Sequence, residues 1–542
     1  MKRAVYCAAG TLLSLGIFSS SVPVLAESGS RSSIHSGISM NGKDQLYAVL
    51  SKDQSMNFHA FKNQGVLYVK TQKGMKGEVT INESKISFHS KKAGWEKISI
   101  SRYTTNGLNT IRFSKSNDPG RLEISIPYPS LQKAHSPEEA GFSSEKLKEI
   151  DRMIEKEVQD GFPGAALIVI KDGKIVKNSA YGYKKKYDGL TPLKHPQKMT
   201  TDTMFDLASN TKMYAANYAI QHLVSIGKLN LETRVQEYIL EFKDQPNDTI
   251  KGKNTLRITD ILHHTAGFPA DPQYHNPAVS KDLFSQDRNK TLQMISKTPL
   301  TYTPGTKNIY SDVDYMLLGY IVEKITGERL DTYVENMFYK PLGLKDTLFN
   351  PLRKGKEASE FAATELMGNT RDGVIDFPNV RHYTLQGEVH DEKAYYSMDG
   401  VSGHAGLFSS TNDLAVLLQV MLNGGGYGGQ KLFSEDTISE FIKPSELNPT
   451  YGLGWRRNGS ADMQWMFGPY ASSSAYGHTG WTGTVTIIDP KYNLGIVLLT
   501  NKKHSPVIDP KKDPNTFLGD TFNTGKYGNV VTAVYEAMLD KK

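Results

Sequence analysis

Cysteine is almost missing from this chain: among 542 residues only Cys7 is one. It precedes most of an apolar stretch at the start of the sequence, which is badly placed for lipid attachment. If that stretch is cleaved off, disulfides, cysteine nucleophiles and thiolate metal sites are excluded together. Blocks of like charge are missing too. The net charge of +7 comes from interspersed lysines, which reads as a solvated basic surface and not as a nucleic-acid-binding one. Beyond the first residues there is no long apolar run, so no transmembrane anchor is expected after cleavage. No internal repeat is visible.

What is present begins with "MKRAVYCAAGTLLSLGIFSSSVPVLAES": a basic start, an apolar run, then small residues up to Ala26. That is the layout of a secretory signal peptide over 1–26, and it predicts an exported protein, periplasmic or extracellular. Residues 27–44 are Ser/Gly-rich and read as a linker. From 45 to 130 short alternating runs such as "GVLYVKT", "SKISFHS" and "RLEISIP" predict a small antiparallel β-sandwich. Within it, Asn106–Ser114 reads as an edge hairpin. The aromatic residues Trp95, Tyr103 and Tyr128 read as core, with a ligand platform as the alternative. A spacer is one role for such a module, and contact with wall material or carbohydrate the other. Residues 127–141, proline-bearing and aperiodic, read as a second linker.

A second domain is expected over 137–542. Leu147, Ile150 and Ile154 recur at helical spacing after Ser143 and Ser144, either of which can cap. Two apolar runs flank Lys171-Asp172-Gly173, a hairpin pattern. A further hairpin turns at Asp489–Asn493. Strands at both ends around a mainly helical middle predict an α+β fold, one sheet being built from both termini.

The chemistry is concentrated in three places. Ser209 and Lys212 form a Ser-x-x-Lys. The same pattern occurs at Ser130–Lys133, Ser143–Lys146 and Ser225–Lys228, so the tetrapeptide alone decides nothing. Only Ser209 follows a short apolar piece, "MFDLA", and opens a long apolar-periodic helix. There i and i+3 share a face, and lysine serves as a base only if its surroundings lower its pKa. Tyr310-Ser311-Asp312 stands before another apolar helix and offers a proton-carrying phenol. The plain alternative is a packing tyrosine with Asp312 as helix cap. His478-Thr479-Gly480 starts a strand of small residues that a substrate backbone can approach. The N–H of Trp481 can then join that of Ser209 as an oxyanion hole. A rival metal site can be drawn from Glu388, His390, Asp391, Glu392 and His404 with His263 and His264, but no recognised ligand spacing supports it.

These three elements, in this order, resemble the Ser-x-x-Lys, Tyr-x-Asn and Lys-Thr-Gly motifs of the serine β-lactamase and penicillin-binding-protein superfamily. The tyrosine and histidine resemble its class C branch. "DILHHTAGFPADPQY", "NTRDGVI", "VHDEKAYYSM" and "GVSGHAGLFS" resemble the penicillin-binding-protein-4B family, over about 137–540. The resemblance implies a β-lactamase-like fold and a Ser209 acyl-enzyme, with Lys212 and Tyr310 moving protons. Asp312, His478, Thr479, Gly480, Trp481 and His404 would line the substrate site, without metal or cofactor. Asp312 stands where the family commonly has asparagine, and His478 where lysine commonly helps hold a carboxylate. The implied activity is that of a D-alanyl-D-alanine carboxypeptidase acting on peptidoglycan peptides. A muramoyl-L-alanine amidase, an esterase or other small-acyl hydrolase, and a weak β-lactamase share the mechanism. A penicillin- or wall-binding protein with little turnover is the alternative of a different class.

Overall fold

The computed structural model describes residues 43–117 and 121–539. The expected signal segment 1–26 and all but the last residues of the linker 27–44 lie outside the described residues.

Two antiparallel sheets form the β-sandwich. One runs Lys43–Asp44, Tyr47–Ser51, Arg121–Ser125, Val66–Thr71, Gly94–Ser99, the other Ser55–Ala60, Gly107–Ser116, Lys76–Ile81, Ser84–His89. Alternation along each strand sends Leu50, Phe58, Val69, Val79, Phe113 and Ile124 into one shared core. Gly107–Ser116 is an interior strand, not the edge expected for it. It pairs with Ser55–Ala60 on one side and Lys76–Ile81 on the other, with Asn109, Ile111 and Phe113 buried on its inner face and Leu108, Thr110 and Arg112 exposed on its outer one. Trp95 and Tyr103 are half-buried, and Tyr128 is buried. The Tyr128 N–H donates to Gly428 O at 2.9 Å.

The larger sheet has the order Gln132–Lys133, Lys174–Asp188, Gly164–Lys171, Leu494–Thr500, Thr484–Asp489, Tyr476–Gly480, Arg456–Arg457. It is antiparallel except at Gln132–Lys133, where the second linker adds a short parallel edge to Lys174–Ile175. Both ends of the hydrolase segment therefore build one sheet, as the sequence order suggested. Residues 164–170 and 494–500 are buried throughout, which is why they read as unbroken apolar runs. The 172–173 turn has φ of 50° at Asp172 and 72° at Gly173, the two left-handed residues of a tight hairpin.

Helices cover both faces. On one face, Ser144–Gln159 packs with Tyr527–Leu539, joining Leu147, Ile150 and Ile154 to Val530, Val534 and Tyr535. Ser143 is the cap, accepting from the Lys146 N–H at 3.3 Å. On the other face, Thr411–Leu422 lies on the sheet. Beyond it is the helical region containing Tyr218–Ser225 and Asp312–Thr326. The site lies where this region meets the Tyr476–Gly480 strand.

Candidate active site

Phe205–Asp206 pairs with Leu407–Ser409, and the chain then turns into Ser209. Ala208 has φ 45°, a left-handed conformation that a residue with a Cβ enters at a cost. The buried Asp206 carboxylate holds it there by accepting from the Ala208 N–H at 2.8 Å. Ser209 sits in a 3-10 turn, Ala208–Asn210, followed by a π-helical stretch, Lys212–Asn217, and only then by the α-helix Tyr218–Ser225. The sequence reading expected a regular helix from its first turn. The wider π ladder re-aims the side chains: Lys212 turns to Ser209 while Asn217 donates to Leu453 O at 2.9 Å. The strand beside it is fastened to this turn. Thr482 and Thr484 hydroxyls donate to the carbonyls of Asp206 and Leu207 at 2.8 and 3.0 Å. A Cβ at Gly480 would stand 2.2 Å from Leu207 O, so only glycine permits this approach.

Ser209 is half-buried between buried neighbours. The fully buried Lys212 donates from Nζ to Ser209 Oγ at 2.9 Å, to Asp312 Oδ1 at 2.8 Å and to His404 O at 3.1 Å. Burial pulls the lysine pKa down, but the Asp312 carboxylate and Tyr310 phenol outweigh it and hold the group above its ordinary value. The shift favours the ammonium form, so the condition under which lysine serves as a base, a lowered pKa, is not met here.

The other Asp312 oxygen lies 3.1 Å from Lys393 Nζ. Lys393 is buried and also pairs with Asp271 and Asp391. Burial opposes its charge, yet these carboxylates raise its pKa well above the usual lysine value. Asp391 in turn meets His404 Nε2 at 2.9 Å, and His404 Nδ1 meets Ser402 Oγ at 2.7 Å. Burial would push Asp312 and Asp391 up, but the cations around them keep both below the normal carboxylate range. The result is an open ring of alternating charge behind the serine, Lys212, Asp312, Lys393 and Asp391, with His404 at its end. Asp312 belongs to this ring, with both oxygens engaged, and does not cap its helix. Ser311 caps, its Oγ accepting from the Val313 N–H at 3.2 Å.

Tyr310 is half-buried. Lys212 Nζ lies 4.8 Å from its ring centre, and the Arg456 guanidinium 5.1 Å. His478 is buried with its ring 5.9 Å from that of Tyr310. Its Nδ1 is 2.7 Å from Thr479 O. A carbonyl can only accept, so Nδ1 carries the proton and Nε2 is left as a bare acceptor, without a partner among the described residues. Burial, with Arg456 and Lys212 nearby, pushes His478 well below the ordinary imidazole range. It is neutral, and the positive charge at this end of the site comes from Arg456. The Trp481 ring stacks on His390 at 4.8 Å, with Arg371 and Lys503 4.6 and 4.2 Å from its centre. Thr479 and Gly480 lie on the strand beside the serine turn.

The residues of the rival metal reading fall into separate pairs. His264 meets Asp314 at 2.7 Å, Glu392 meets Arg371 at 2.9 Å, His390 meets Glu365, and Glu388 accepts from Tyr383 at 3.2 Å. Asp312, Asp391 and His404 do bring donor atoms within 4.8 Å of one another. Two lysine ammoniums already bind those carboxylates, and a divalent cation there would face both.

Sequence reasoning missed Lys393, Arg456 and Asp206. The first two had a signal. A carboxylate in place of asparagine needs a second buried cation, and Lys393 stands in "VHDEKAYYSM" two residues from Asp391. A neutral histidine in place of lysine leaves an anion site short of charge, and Arg456 sits on the neighbouring strand, opposite Gly477.

Comparisons with known proteins place the chain in a family and agree with its fold. The Beta-lactamase family pattern matches residues 150–521. An N-acetylmuramyl-L-alanine amidase of Bacillus subtilis is 62% identical over 401 residues, 74% of this chain and 91% of that one. A putative D-alanyl-D-alanine carboxypeptidase of Escherichia coli K12 is 59% identical over 414 residues, 76% and 95% of the two chains. Among solved structures, the hydrolase EstCE1 superposes with a TM-score of 0.53 at 18% identity, covering 72% of this chain and 99% of that one. A penicillin-binding-protein homologue from Caulobacter crescentus gives 0.51 at 20% identity, covering 73% and 99%. The chain belongs to the beta-lactamase family and is a hydrolase of the β-lactamase and penicillin-binding-protein superfamily.

Proposed function

We propose that the protein is a serine amidohydrolase of peptidoglycan-derived peptides, working through an acyl group on Ser209. The observation that carries this is the 2.9 Å hydrogen bond from a buried, carboxylate-paired Lys212 to a half-buried Ser209 Oγ. An ammonium cannot accept the serine proton, so that role falls to Tyr310. Its oxygen takes that proton only after giving up its own, and the negative charge it carries until the serine proton arrives is compensated by Lys212 and Arg456. Ser209 Oγ bonds to the carbonyl carbon as its proton passes to Tyr310. The N–H groups of Ser209 and Trp481 meet the oxyanion. The C–N bond then breaks as Tyr310 returns the proton to the leaving amine, and water repeats the sequence to free the serine. Arg456 holds a carboxylate on the leaving peptide. His478 Nε2 accepts a substrate or phenol proton and does not serve as an anion anchor. Thr479, Gly480 and His404 line the cleft.

Two bonds fit this site. Cleavage of D-alanyl-D-alanine is the first reading. The second, release of the peptide from muramic acid, is favoured by one feature. Both Asp312 oxygens are engaged by lysines, and a carboxylate has no proton to give an acyl-side amide carbonyl. A D-alanyl donor carries such an amide beside the reacting centre, whereas a lactyl donor carries an ether oxygen. The relative at 62% identity bears the amidase name. Digestion of pentapeptide muropeptides followed by mass spectrometry tests both. Free D-alanine supports the first, and intact peptide with free muramic acid the second. A stable penicillin adduct with neither product makes the protein a binder with little turnover.

The same reading includes export after cleavage at Ala26, with residues 45–130 as a spacer or wall-contact domain ahead of the hydrolase domain 137–542. Among the described residues no helix is long and apolar enough to cross a membrane. N-terminal sequencing of the mature protein tests the cleavage. Sedimentation with purified wall material, with and without residues 45–130, tests the contact.

A further inference from the structure

Behind Tyr310 lies a buried pair outside the proton path, His264 and Asp314. The chain on both sides of Tyr310 is bonded to His264. The Ile309 N–H donates to His264 O at 2.9 Å, and the Ser311 N–H donates to His264 Nδ1 at 3.3 Å. The Tyr302 hydroxyl adds a bond to the same carbonyl at 3.2 Å, and the Gly305 N–H donates to Thr265 O at 2.9 Å. The imidazole also packs on the phenol, with ring centres 4.8 Å apart. Asp314 Oδ2 stands 2.7 Å from the same Nδ1 and, as the uncharged acid, donates its proton there, sharing the Nδ1 lone pair with the Ser311 N–H and fixing the ring.

A purely structural origin fits poorly. His264 adopts φ 57°, a conformation that a β-substituted residue holds at some cost. His264 Nε2 and Asp314 Oδ1 are buried without a hydrogen-bond partner among the described residues, and such atoms are destabilising. Apolar side chains would fill the space without those penalties. They would keep the main-chain bond to Ile309 but could not accept from the Ser311 N–H.

We propose that His264, fixed by Asp314, is a positioning residue that holds the Tyr310 phenol against Lys212 and Ser209. The proposal rests on the Ser209 acyl-enzyme reading above. Burial keeps the pair uncharged, with His264 well below and Asp314 well above their ordinary values. Beside the phenol the cations are then Lys212 and Arg456, with no third from His264.

The test compares two substrates in the full-length protein: a muropeptide amide, whose leaving amine needs a proton from Tyr310, and a p-nitrophenyl ester, whose leaving group needs none. His264→Ala should lower kcat for the amide about 100-fold and change KM little, with a smaller loss for the ester, about tenfold, because the ester still needs Tyr310 to take the serine proton but not to protonate the leaving group. His264→Asn, whose carbonyl oxygen can again accept from Ser311 N–H, should recover a large part of the amide rate, and it carries the test if the alanine variant does not fold. Equal loss of amide and ester turnover in parallel with a fall in Tm, or no loss of either, would overturn the proposal. If wild type forms no ester-derived acyl adduct on Ser209, the acyl-enzyme reading falls first and the proposal with it.

Discussion

Asp312 and the buried Lys393 form an ion pair, 3.1 Å from Oδ2 to Nζ, while the other Asp312 oxygen accepts a hydrogen bond from Lys212 at 2.8 Å. The carboxylate that replaces the family's asparagine is thus shared between two ammoniums.

Removing one side of this arrangement should be worse than removing both. Lys393→Met leaves Asp312, Asp391 and Asp271 short of a cation, and breaking a buried pair in this way costs about 3–5 kcal/mol. The double variant Asp312→Asn, Lys393→Met leaves one neutral acceptor for Lys212 and should recover much of that loss. Thermal melts of the two variants check this. A double variant no more stable than the single one would contradict it.

Arg456→Gln should act on binding. It removes the guanidinium beside Tyr310, so KM for a peptide with a carboxylate on its leaving side should rise about tenfold or more, the worth of a charged hydrogen bond. A neutral ester should be hydrolysed with unchanged KM. Steady-state kinetics on the two substrates separate these outcomes.

Gly480→Ala tests the close approach of strand and nucleophile turn. The new Cβ would sit 2.2 Å from Leu207 O and 2.3 Å from Thr484 Oγ1, forcing the turn away. Misplacement by an ångström costs about 100-fold in rate, so kcat should fall by that order while circular dichroism stays that of the wild type.

Acid should destabilise the fold before the carboxylates of the charged ring are protonated. His222, His263, His264, His275, His478 and His504 are all pushed down by burial. Their folded pKa values lie below the unfolded ones, so the unfolded chain binds more protons and stability falls as pH drops below about 6.5. His504, lowered to about 3, by itself contributes a loss of about 2 kcal/mol at pH 5. Asp312 and Asp391 are depressed, and their contribution persists until lower pH. Asp314 and Asp413 are raised by burial and act in the opposite sense, so the histidine contribution is read by difference: Tm should fall less between pH 7.5 and 4.5 in His504→Gln than in the wild type, and equal falls would contradict this account.

The sheet was legible because its central runs, 164–170 and 494–499, are apolar throughout and its hairpins carry the residues that tight turns require, Asp172-Gly173 and Asn493. The order of Ser209, Tyr310 and His478 was legible because each lies within two residues of the start of an element. The π-helical stretch after Ser209 was not, because a π ladder has no hydrophobic period distinct from that of an α-helix. Gly107–Ser116 misled because an interior strand of a sandwich alternates just as an edge strand does. Lys393 and Arg456 were hidden because their roles come from charges brought together across the chain, 81 and 146 positions beyond Asp312 and Tyr310. Read alone, each is a lysine or arginine like many others.

The central claim is that Ser209 is acylated. Intact-mass spectrometry of the full chain after treatment with a fluorophosphonate, and separately with an activated ester, addresses it directly. Wild type should gain one adduct, mapped by peptide analysis to Ser209, and Ser209→Ala should gain none. An adduct that persists in Ser209→Ala would contradict the account.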